Sequence, residues 1–382
     1  MKILIDARLY GLENAGVGRY LINLVEEIKK LRNKERFVIL LRKKYFNELN
    51  LPERWKKVLA DFGNYTFNEQ LKLPRIISKE NPDLTHFPHF NIPIFYNGKF
   101  VVTIHDMTMH RQGRVATKLP LPIYFVKRLP YKYIFRKAVL SSSKIIVPSK
   151  SVKRDLVDYF KVDKEKITVT YEAGSKEFKK QGIGKRIPSV PVKYKLIGKK
   201  YLLFVGNAYP HKNLERVVEA VKYLNEKKRI DIIFAVASSR NYFTNTLKRE
   251  VERQNAQNYV KLLGFVPDED LADLYNRSTA YIYPSLAEGF GLPGIEAISA
   301  GTLVLASNIS VFREIYKDNA FYFNPYDFSS IAKVIENTLK LKASERKKII
   351  SKSQEFIKRY SWSKMAKQTL NVYHEALKPA QI

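Results

Sequence analysis

Short runs of apolar, largely β-branched residues alternate with longer segments of helical period along most of the 382-residue chain. This alternation is typical of βα units around parallel sheets. In a first series, the predicted strands are KILIDA, FVILLR, LTHF, KFVVTIHD and KIIVP, with helices at residues 20–31 and 151–160. A second series comprises YLLFVG, DIIFAVAS, YVKLLG, AYIYPS and TLVLAS, with a helix at residues 214–224. The pattern therefore predicts an α/β protein with two parallel sheets.

Residues 176–200 separate the two series. They are rich in Lys, Gly and Pro and have no period, which favours a linker, with an ordinary surface loop as the alternative. We place a first domain at 1–178, the linker at 179–199 and a second domain at 200–360. A final helix is predicted at residues 361–377, with apolar residues on one side. These are Trp362, Met365, Ala366, Leu370 and Tyr373.

The composition fits a folded globular chain, because 45% of the residues are hydrophobic and 13% aromatic. Without an apolar run of about 18 residues or a signal-peptide pattern, we expect a cytoplasmic protein that does not span a membrane. The chain has no cysteine, which excludes disulfides, thiolate zinc sites and cysteine nucleophiles. Its six histidines show no metal-ligand spacing, so we expect neither a metal nor another cofactor.

Basic residues outnumber acidic ones by 68 to 37, and this excess favours an anionic partner such as nucleic acid, acidic lipid or a phosphorylated substrate. Between residues 107 and 154 there are twelve basic residues and no acidic one. Arg128, Lys132 and Arg136 recur every four residues among aromatic side chains, although Pro130 should kink a helix here. We interpret these three basic residues as facing an anionic membrane surface, with a solvated face as the alternative.

The segment SLAEGFGLPGIEAISAG, residues 285–301, directly follows a predicted strand. Its glycines allow close approach of a ligand to the backbone, and Pro293 suits an early helix position. A helix N-terminus here would bind an anion such as a diphosphate. Glu288 and Glu296 could accept hydrogen bonds from a polyhydroxyl ligand. Alternatively, Glu296 only complements the helix dipole and Glu288 is solvated.

Lys212 lies in FVGNAYPHKNLERVVEA, where a strand ends in a glycine turn and a helix follows. A lysine at a helix N-terminus is electrostatically unfavourable unless an anion binds there. We therefore predict that Lys212 binds a diphosphate, with a solvated surface lysine as the alternative.

Glu288 and Glu296, with GFGLP between them, resemble the E-x7-E motif of retaining glycosyltransferase family 4. The resemblance implies the GT-B fold: two Rossmann-like domains whose parallel sheets face a central cleft, with a C-terminal helix, here residues 361–382, that crosses back to the first domain. It also implies that Glu288 contacts the transferred sugar and Glu296 the nucleotide ribose. The amides that would hold the sugar and diphosphate belong to Phe290, Gly291 and Leu292.

Two further segments resemble this family's donor site. The first is the segment of Lys212, FVGNAYPHKNLERVVEA, in which Asn207 stands where the family often has an arginine. The resemblance therefore leaves open whether His211 or another basic residue supplies the second positive charge for the diphosphate. The segment LLGFVPDEDLADLYNRS resembles the one that borders the nucleobase. Its donor-binding candidates are Leu263, Gly264, Phe265 and Val266. The acidic residues 268–270 suit a helix start better than a metal site.

In the first half, Gly16 and Gly18 predict a flexible loop before an amphipathic helix. A lone G-x-G is usually a structural turn, but the resemblance implies a loop that closes over the donor phosphates or the acceptor, with Arg19 as a further candidate. His105 and Asp106 end a predicted strand, where open α/β sheets bind ligands. The resemblance implies that His105 hydrogen-bonds a sugar hydroxyl from the opposite domain and that Asp106 orients nearby groups.

The segments HFPHFNIP and YTFNEQLKLP resemble the mannosyltransferase-like branch of the family, which suggests GDP-mannose as donor. We therefore expect a hexosyltransferase that moves a sugar, with retention of configuration, from a nucleotide-sugar to a glycan or lipid-linked acceptor. The product would belong to cell-surface polysaccharide or glycolipid synthesis. We expect the enzyme to be peripheral on the inner face of the cell membrane. Another hypothesis is a basic nucleic-acid-binding protein, although no recognisable binding module is present. A further one keeps the GT-B fold with phosphorylase or epimerase-like chemistry.

Overall fold

The computed structural model describes residues 1–32, 34–112, 121–174, 189–239 and 242–378. The chain divides into two compact units. The first unit comprises Met1–Met107, Thr117–Glu172 and Ser361–Ile382, and the second comprises Thr108–Ala116 and Ala173–Tyr360. Each unit contains one parallel sheet, as the two series of strands predict.

The sheet of the first unit has seven strands in the order β3-β2-β1-β4-β5-β6-β7, with every neighbouring pair parallel. Its strands are β1 (Lys2–Asp6), β2 (Arg36–Leu41), β3 (Lys56–Leu59), β4 (Leu84–Phe87), β5 (Phe100–Thr103), β6 (Lys144–Val147) and β7 (Ile167–Val169). The strand order reverses between β1 and β4, which is where open α/β sheets form a ligand crevice. The five predicted strands are present, and the edge strands β3 and β7 were not predicted.

Helices are numbered in chain order. Those in the first half are α1 (Ala15–Lys30), α2 (Lys43–Phe46), α3 (Phe67–Glu80), α4 (Thr108–Gln112), α5 (Leu121–Ser141) and α6 (Lys150–Phe160). Helix α1 begins five residues earlier than predicted, so Gly16 and Gly18 lie in its first turn and the predicted flexible loop is wrong. A Cβ on Gly18 would lie 1.8 Å from the carbonyl oxygen of Gly11, so glycine is needed for the helix to pack on the segment before it.

The C-terminal helix α15 (Trp362–Leu377) packs in the first unit, against α1, β4, β5 and β6. The Ser361 side chain caps it by accepting a hydrogen bond from the Lys364 amide. The Tyr373 hydroxyl lies 2.7 Å from Nδ1 of buried His86 in β4. The predicted return of the C-terminal helix to the first domain is confirmed.

The sheet of the second unit has the order β10-β9-β8-β11-β12-β13 and is also parallel throughout. Its strands are β8 (Tyr201–Val205), β9 (Ile233–Ala237), β10 (Val260–Gly264), β11 (Ala280–Tyr283), β12 (Val304–Ser307) and β13 (Phe321–Phe323). Strands β9, β11 and β12 are buried along their whole length, which explains their continuous apolar sequences. The short edge strand β13 was not predicted.

Besides α4, the second unit contains eight of the helices that lie within the described residues. They are α7 (Ser189–Lys193), α8 (Leu214–Glu226), α9 (Tyr242–Arg253), α10 (Asp268–Arg277), α11 (Leu292–Ser299), α12 (Ser310–Tyr316), α13 (Phe328–Leu339) and α14 (Ala343–Ile357). Of the predicted linker, residues 179–188 lie outside the described residues. Helix α7 lies in the remainder, where Nζ of Lys193 and the hydroxyl of Tyr194 donate to Asp270 at 2.5 and 2.7 Å. This part of the segment is therefore ordered against α10.

Pro130 lies inside α5, which continues as a helix to Ser141. Across the described ranges, no helix combines the length and apolar character needed to cross a membrane.

Candidate active site

Three turns of the second unit lie at the carboxyl edge of its sheet. Residues 206–213 follow β8, residues 284–291 follow β11, and residues 265–267 follow β10. Strands β8 and β11 are neighbours, and β10 is two strands away from β8. The fold thus brings sequence-distant segments to the edge where parallel sheets bind ligands.

Lys212 and Glu288 form an ion pair between Nζ and Oε1, with both side chains largely buried. The Lys212 Nζ also lies 5.8 Å from the centroid of the Tyr283 ring. Lys212 ends a 3-10 turn, Pro210–Lys212, and so precedes α8 instead of opening it as expected. The two side chains predicted to bind diphosphate and sugar are therefore in direct contact and hold each other in place.

Asn213, which sequence reasoning did not select, joins the Lys212 turn to the Glu288 loop. Its Nδ2 donates to the carbonyl oxygens of Pro284 and Pro325 at 3.2 and 2.7 Å, and its side chain is buried. The Leu286 amide adds a 2.8 Å hydrogen bond to the carbonyl of His211. Asn213 has φ of 56°, a left-handed conformation that asparagine tolerates better than most residues. The sequence feature that could have identified Asn213 is an asparagine placed between a turn and a helix.

The N-terminus of α11 is built around Tyr316. The Tyr316 hydroxyl donates to the carbonyl of Gly291 at 2.6 Å. A Cβ on Gly291 or Gly294 would lie 2.4 or 2.2 Å from that hydroxyl oxygen, and Gly291 has φ of +105°. Pro293 occupies an early helix position, as predicted. The sequence predicts that these glycines allow a ligand to approach the backbone, but the buried Tyr316 occupies the space beside both of them.

Glu296 lies on α11 and is only 4% exposed. Burial raises the pKa of Tyr281 and of Tyr316 well above the usual value, and the charges of Glu288 and Glu296 add to this effect at both tyrosines. The two carboxylates therefore flank one buried tyrosine cluster. Phe290 is buried with its ring 5.6 Å from that of Tyr360, so its side chain belongs to the core.

The other donor-site candidates follow β8 and β10. Asn207 Oδ1 accepts a hydrogen bond from the Ser239 hydroxyl at 3.0 Å. The His211 ring stacks on Tyr209, with centroids 5.7 Å apart. Gly264 is the last residue of β10, has φ of +76° and lies at a shift in the strand register, directly after Leu263. The next residue, Phe265, is 76% exposed. Val266 is buried beside it.

In the first unit, His105 follows β5 and already contacts protein through both ring nitrogens. Its Nδ1 lies 3.3 Å from Oε1 of Glu172, and its Nε2 lies 3.0 Å from the carbonyl oxygen of Pro88. Tyr20 packs edge-on to the ring at 4.9 Å. A sugar hydroxyl that bonds to this ring has to replace one of these contacts. Glu172, buried at 4% exposure, is a partner that the sequence reading passed over.

The remaining candidates of the first unit are Asp106, Gly16, Gly18 and Arg19. Asp106 follows His105 in the chain, and its charge adds to the burial that raises the pKa of Tyr131. No heavy atom of the described residues lies within 4 Å of a Cβ placed on Gly16, whereas Gly18 is closely packed. Arg19 is partly exposed on α1, one turn before Asn23, which donates to its carbonyl.

The predicted membrane-facing residues lie on α5. Lys132 and Arg136 are exposed and Arg128 is partly so. Other basic residues nearby donate to backbone carbonyls: Lys144 to Glu165 at 3.0 Å and Lys153 to Ile167 at 2.7 Å. The side chains of residues 111, 114, 118 and 127 lie outside the described residues. Part of the basic excess in this region therefore stabilises the fold through hydrogen bonds to backbone carbonyls.

Within the part of the chain that the structure describes, no three histidine or acidic side chains are grouped to hold a metal.

Comparison with known proteins identifies the family. The model described as "Glycosyltransferase Family 4" matches residues 14–173, and the model "Glycosyl transferases group 1" matches residues 191–356. The chain is a glycosyltransferase of the family-4 type. Its relatives include an O-antigen chain mannosyltransferase B from Escherichia coli, 26% identical over 98% of this chain and 99% of the relative. Another is the O-antigen chain mannosyltransferase RfbU from Salmonella typhimurium, 27% identical over 80% and 78%.

Solved structures place this glycosyltransferase in the GT-B fold. A glycosyltransferase from Rickettsia africae matches with a TM-score of 0.73 at 21% identity, over 99% of both chains. WaaG, a glycosyltransferase involved in lipopolysaccharide biosynthesis, matches with a TM-score of 0.73 at 13% identity, over 97% of this chain and 99% of that one. The predicted fold and enzyme class are confirmed. Enzymes of this kind use nucleotide-sugar donors and glycan acceptors.

Proposed function

We propose that this glycosyltransferase moves mannose from GDP-mannose, with retention of configuration, to a glycan or lipid-linked acceptor in cell-surface polysaccharide or glycolipid synthesis. The observation that carries the chemistry is the Lys212–Glu288 pair at the carboxyl edge of the second sheet. The choice of mannose and of a surface polysaccharide is supported by the names of the two O-antigen relatives.

In this proposal, charge growing on the departing diphosphate is stabilised by Lys212 and the N-terminus of α11. Glu288 accepts hydrogen bonds from the sugar and Glu296 from the ribose. The backbone of residues 290–292 lies along the sugar and diphosphate, and residues 263–266 border the base, for which the exposed Phe265 ring offers a flat surface. Asn207 and His211 complete the donor side.

In the first unit, His105 is the group that offers a hydrogen bond to a sugar hydroxyl, and Asp106, Gly16, Gly18 and Arg19 are further candidates for contacts with the substrates. Retention follows if the departing phosphate oxygen takes the proton of the acceptor hydroxyl on the face that the diphosphate leaves. Catalysis is then mainly positioning and electrostatic stabilisation, without a metal or other cofactor.

Thermal-shift screening against UDP-, GDP- and ADP-sugars tests the donor, because a bound ligand raises the apparent stability. We expect GDP-mannose to give the largest shift and the anomeric proton of the product to show retained configuration. If none of these donors shifts the melting temperature and the protein binds DNA in a salt-dependent way, the result would favour a nucleic-acid-binding protein. Turnover that requires free phosphate, or that needs no acceptor, would favour a phosphorylase or an epimerase.

We also propose that the enzyme docks peripherally on the inner face of the membrane through α5. Its exposed side chains have helical spacing, with one adjacent pair: Leu129, Lys132, Tyr133, Arg136 and Leu140. Apolar and basic side chains on one face suit an anionic interface, where each basic residue adds about 1 kcal/mol. Co-sedimentation should therefore show binding to acidic but not neutral vesicles at low salt. Lys132→Glu with Arg136→Glu should abolish it, and equal, negligible binding of the unmodified protein to both vesicles would refute docking.

A further inference from the structure

An open cleft lies at the amino edge of the second sheet, where Tyr201 begins β8 and Thr279 precedes β11. Its lining comes from α7 and the segment after it, from the C-terminal ends of α10 and α13, and from α14. It contains about 910 Å³ of water-accessible space, which lies within the range of about 300–1,000 Å³ typical of small-molecule sites. We call it the basal cleft.

The basal cleft is separate from the candidate active site. Lys212 and Glu288 lie at the carboxyl edge of the same sheet. Strand β8, which runs between the two edges, has five residues and so spans about 17 Å. A small ligand in the basal cleft therefore does not reach the Lys212–Glu288 pair.

Much of the lining of the basal cleft is aliphatic. Val192 and Ile197 are 59% and 64% exposed, and Leu196, Leu339 and Leu341 line the cleft with them. The one aromatic residue among the described lining, Tyr201, is buried, and its hydroxyl donates to the carbonyl of Leu274 at 2.6 Å. The described lining thus offers no exposed ring on which a nucleobase could stack. Its apolar part suits an alkyl chain.

The charged side chains that line the cleft are all cations in the part of the chain that the structure describes. They belong to Lys199, Lys200, Arg277 and Arg346. Two of them have carboxylate partners: Arg277 Nε lies 2.6 Å from Asp273 Oδ2, and Lys199 Nζ lies 3.9 Å from Asp231 Oδ2. Lys200 is exposed. The excess of positive charge favours an anionic ligand.

Arg346 is a partly buried cation without a counter-ion among the described residues. Its Nη2 donates to the carbonyl oxygens of Ser278 and Thr279, just after α10, at 3.2 and 2.5 Å. Burial lowers the pKa of Arg346, and no carboxylate of the described residues opposes this shift. Its Nε and Nη1 form no hydrogen bond within the described ranges. A guanidinium with open N–H groups matches the oxygens of an anionic headgroup.

The charge that remains on the cleft limits the kind of anion. Asp273 and Asp231 offset two of the four cations. The C-termini of α10 and α13 each carry the equivalent of about half a negative charge, which offsets about one more cation. About one positive charge is left over. This balance suits a monoanionic headgroup better than a diphosphate or a nucleic acid.

We propose that the basal cleft binds an alkyl chain that carries a monoanionic headgroup, with the headgroup at Arg346 and Lys200 and the chain along Val192 and Ile197. A fatty-acid carboxylate and the phosphodiester of a single-chain phospholipid both have this chemistry. The inference does not rest on the proposed function, because the cleft lies at the opposite edge of the sheet from the Lys212–Glu288 pair. A ligand here would bind the second unit without entering the transfer reaction.

Isothermal titration calorimetry with small amphiphiles, each below its critical micelle concentration, tests this binding. Octanoate represents the fatty acid and octyl methyl phosphate the phosphodiester. We expect one site per chain for at least one of them, and the tighter of the two identifies the headgroup. Each buried methylene strengthens binding by about fourfold, so butanoate should bind at least tenfold more weakly than octanoate. Octyl glucoside, which has the same chain without a charge, should also bind at least tenfold more weakly.

Variants locate the site. Lys200→Glu and Ile197→Asn, at exposed residues of the cleft, should weaken binding of the tighter probe at least fivefold. Lys248→Glu and Leu71→Asn change exposed residues of the same types outside the cleft and should leave binding unchanged. Arg346→Gln should weaken binding at least tenfold. If Arg346→Gln does not fold, the Lys200 and Ile197 variants with their controls decide the result.

Four outcomes would overturn the inference. The first is that neither eight-carbon anion binds. The second is that butanoate or octyl glucoside binds as tightly as the anions. The third is equal affinity in the Lys200→Glu and Lys248→Glu variants, because it would mean that the basic surface attracts the anion without a site. The fourth is a loss of binding in Lys212→Ala as large as that in Lys200→Glu, which would place the probe at the carboxyl edge; we expect Lys212→Ala to bind it normally.

Discussion

Lys212 and Glu288 are 76 residues apart in sequence and meet in one side-chain contact. We predict that Lys212→Ala lowers kcat by about 10²- to 10³-fold, the usual effect of removing a group that stabilises transition-state charge. Glycosyl transfer assays with GDP-mannose measure the change. Lys248→Ala, at an exposed lysine of α9, is the matched control and should retain full activity. Near-normal transfer by the Lys212 variant would remove this lysine from the mechanism.

At the residue scale, the sequence predicted candidate groups better than it predicted their contacts. Lys212 and Glu288 stand out because each accompanies a glycine turn at the end of a strand. The partners that fix the candidate residues are different: Asn213 reaches carbonyls 71 and 112 residues away, and Glu172 meets His105 across 67 residues. No local pattern encodes such pairings, because they depend on which strand ends the sheet order brings together.

At the element scale, Gly294 in α11 tests whether Tyr316 sets the position of this helix. An alanine favours a helix by about 1 kcal/mol over glycine, but its Cβ would lie 2.2 Å from the Tyr316 hydroxyl oxygen. We therefore predict that Gly294→Ala destabilises the second unit by about 1–3 kcal/mol, as overpacking does. Faster hydrogen–deuterium exchange in α11 and a smaller thermal shift with GDP-mannose should report it.

Gly63→Ala is the control for this substitution, because the nearest heavy atom to the new Cβ would be 3.5 Å away. Exchange in α11 should be unaffected in that variant. If Gly294→Ala left both exchange and the thermal shift unchanged, Tyr316 would not determine where α11 begins.

The elements that the sequence missed share a physical feature. Strands β3, β7 and β13 are three or four residues long, lie at sheet edges and are partly exposed, so they lack the continuous apolar runs of central strands. The start of α1 was misplaced for another reason, since the glycines that suggest a loop are there for close packing. Central strands, the five-residue edge strand β10 and amphipathic helices were predictable, and the shortest edge strands and helix ends were not.

At the scale of the whole molecule, the two tryptophans of the chain both lie in the first unit. Trp55 and Trp362 are buried there, so tryptophan fluorescence follows the unfolding of that unit alone. This separation matters because a two-domain protein need not unfold in one step. It allows a test of how buried histidines contribute to the stability of the first unit.

Burial lowers the pKa of His86 to about 3 and that of His89 to about 4, well below the usual value of about 6.5, with His105 adding to both shifts. Between pH 6.5 and 4, the unfolded chain therefore binds protons that the folded unit does not. We predict that the free energy of unfolding of the first unit is greatest above pH 6.5 and falls as the pH is lowered toward 4. Each histidine should contribute a slope on the order of 1.4 kcal/mol per pH unit.

Urea unfolding followed by tryptophan fluorescence at several pH values measures this slope. The His89→Gln variant should have a slope smaller by the contribution of about one proton, since glutamine does not titrate. Equal slopes in the two proteins would mean that His89 is protonated alike in the folded and unfolded states, which would contradict the lowered pKa that follows from its burial.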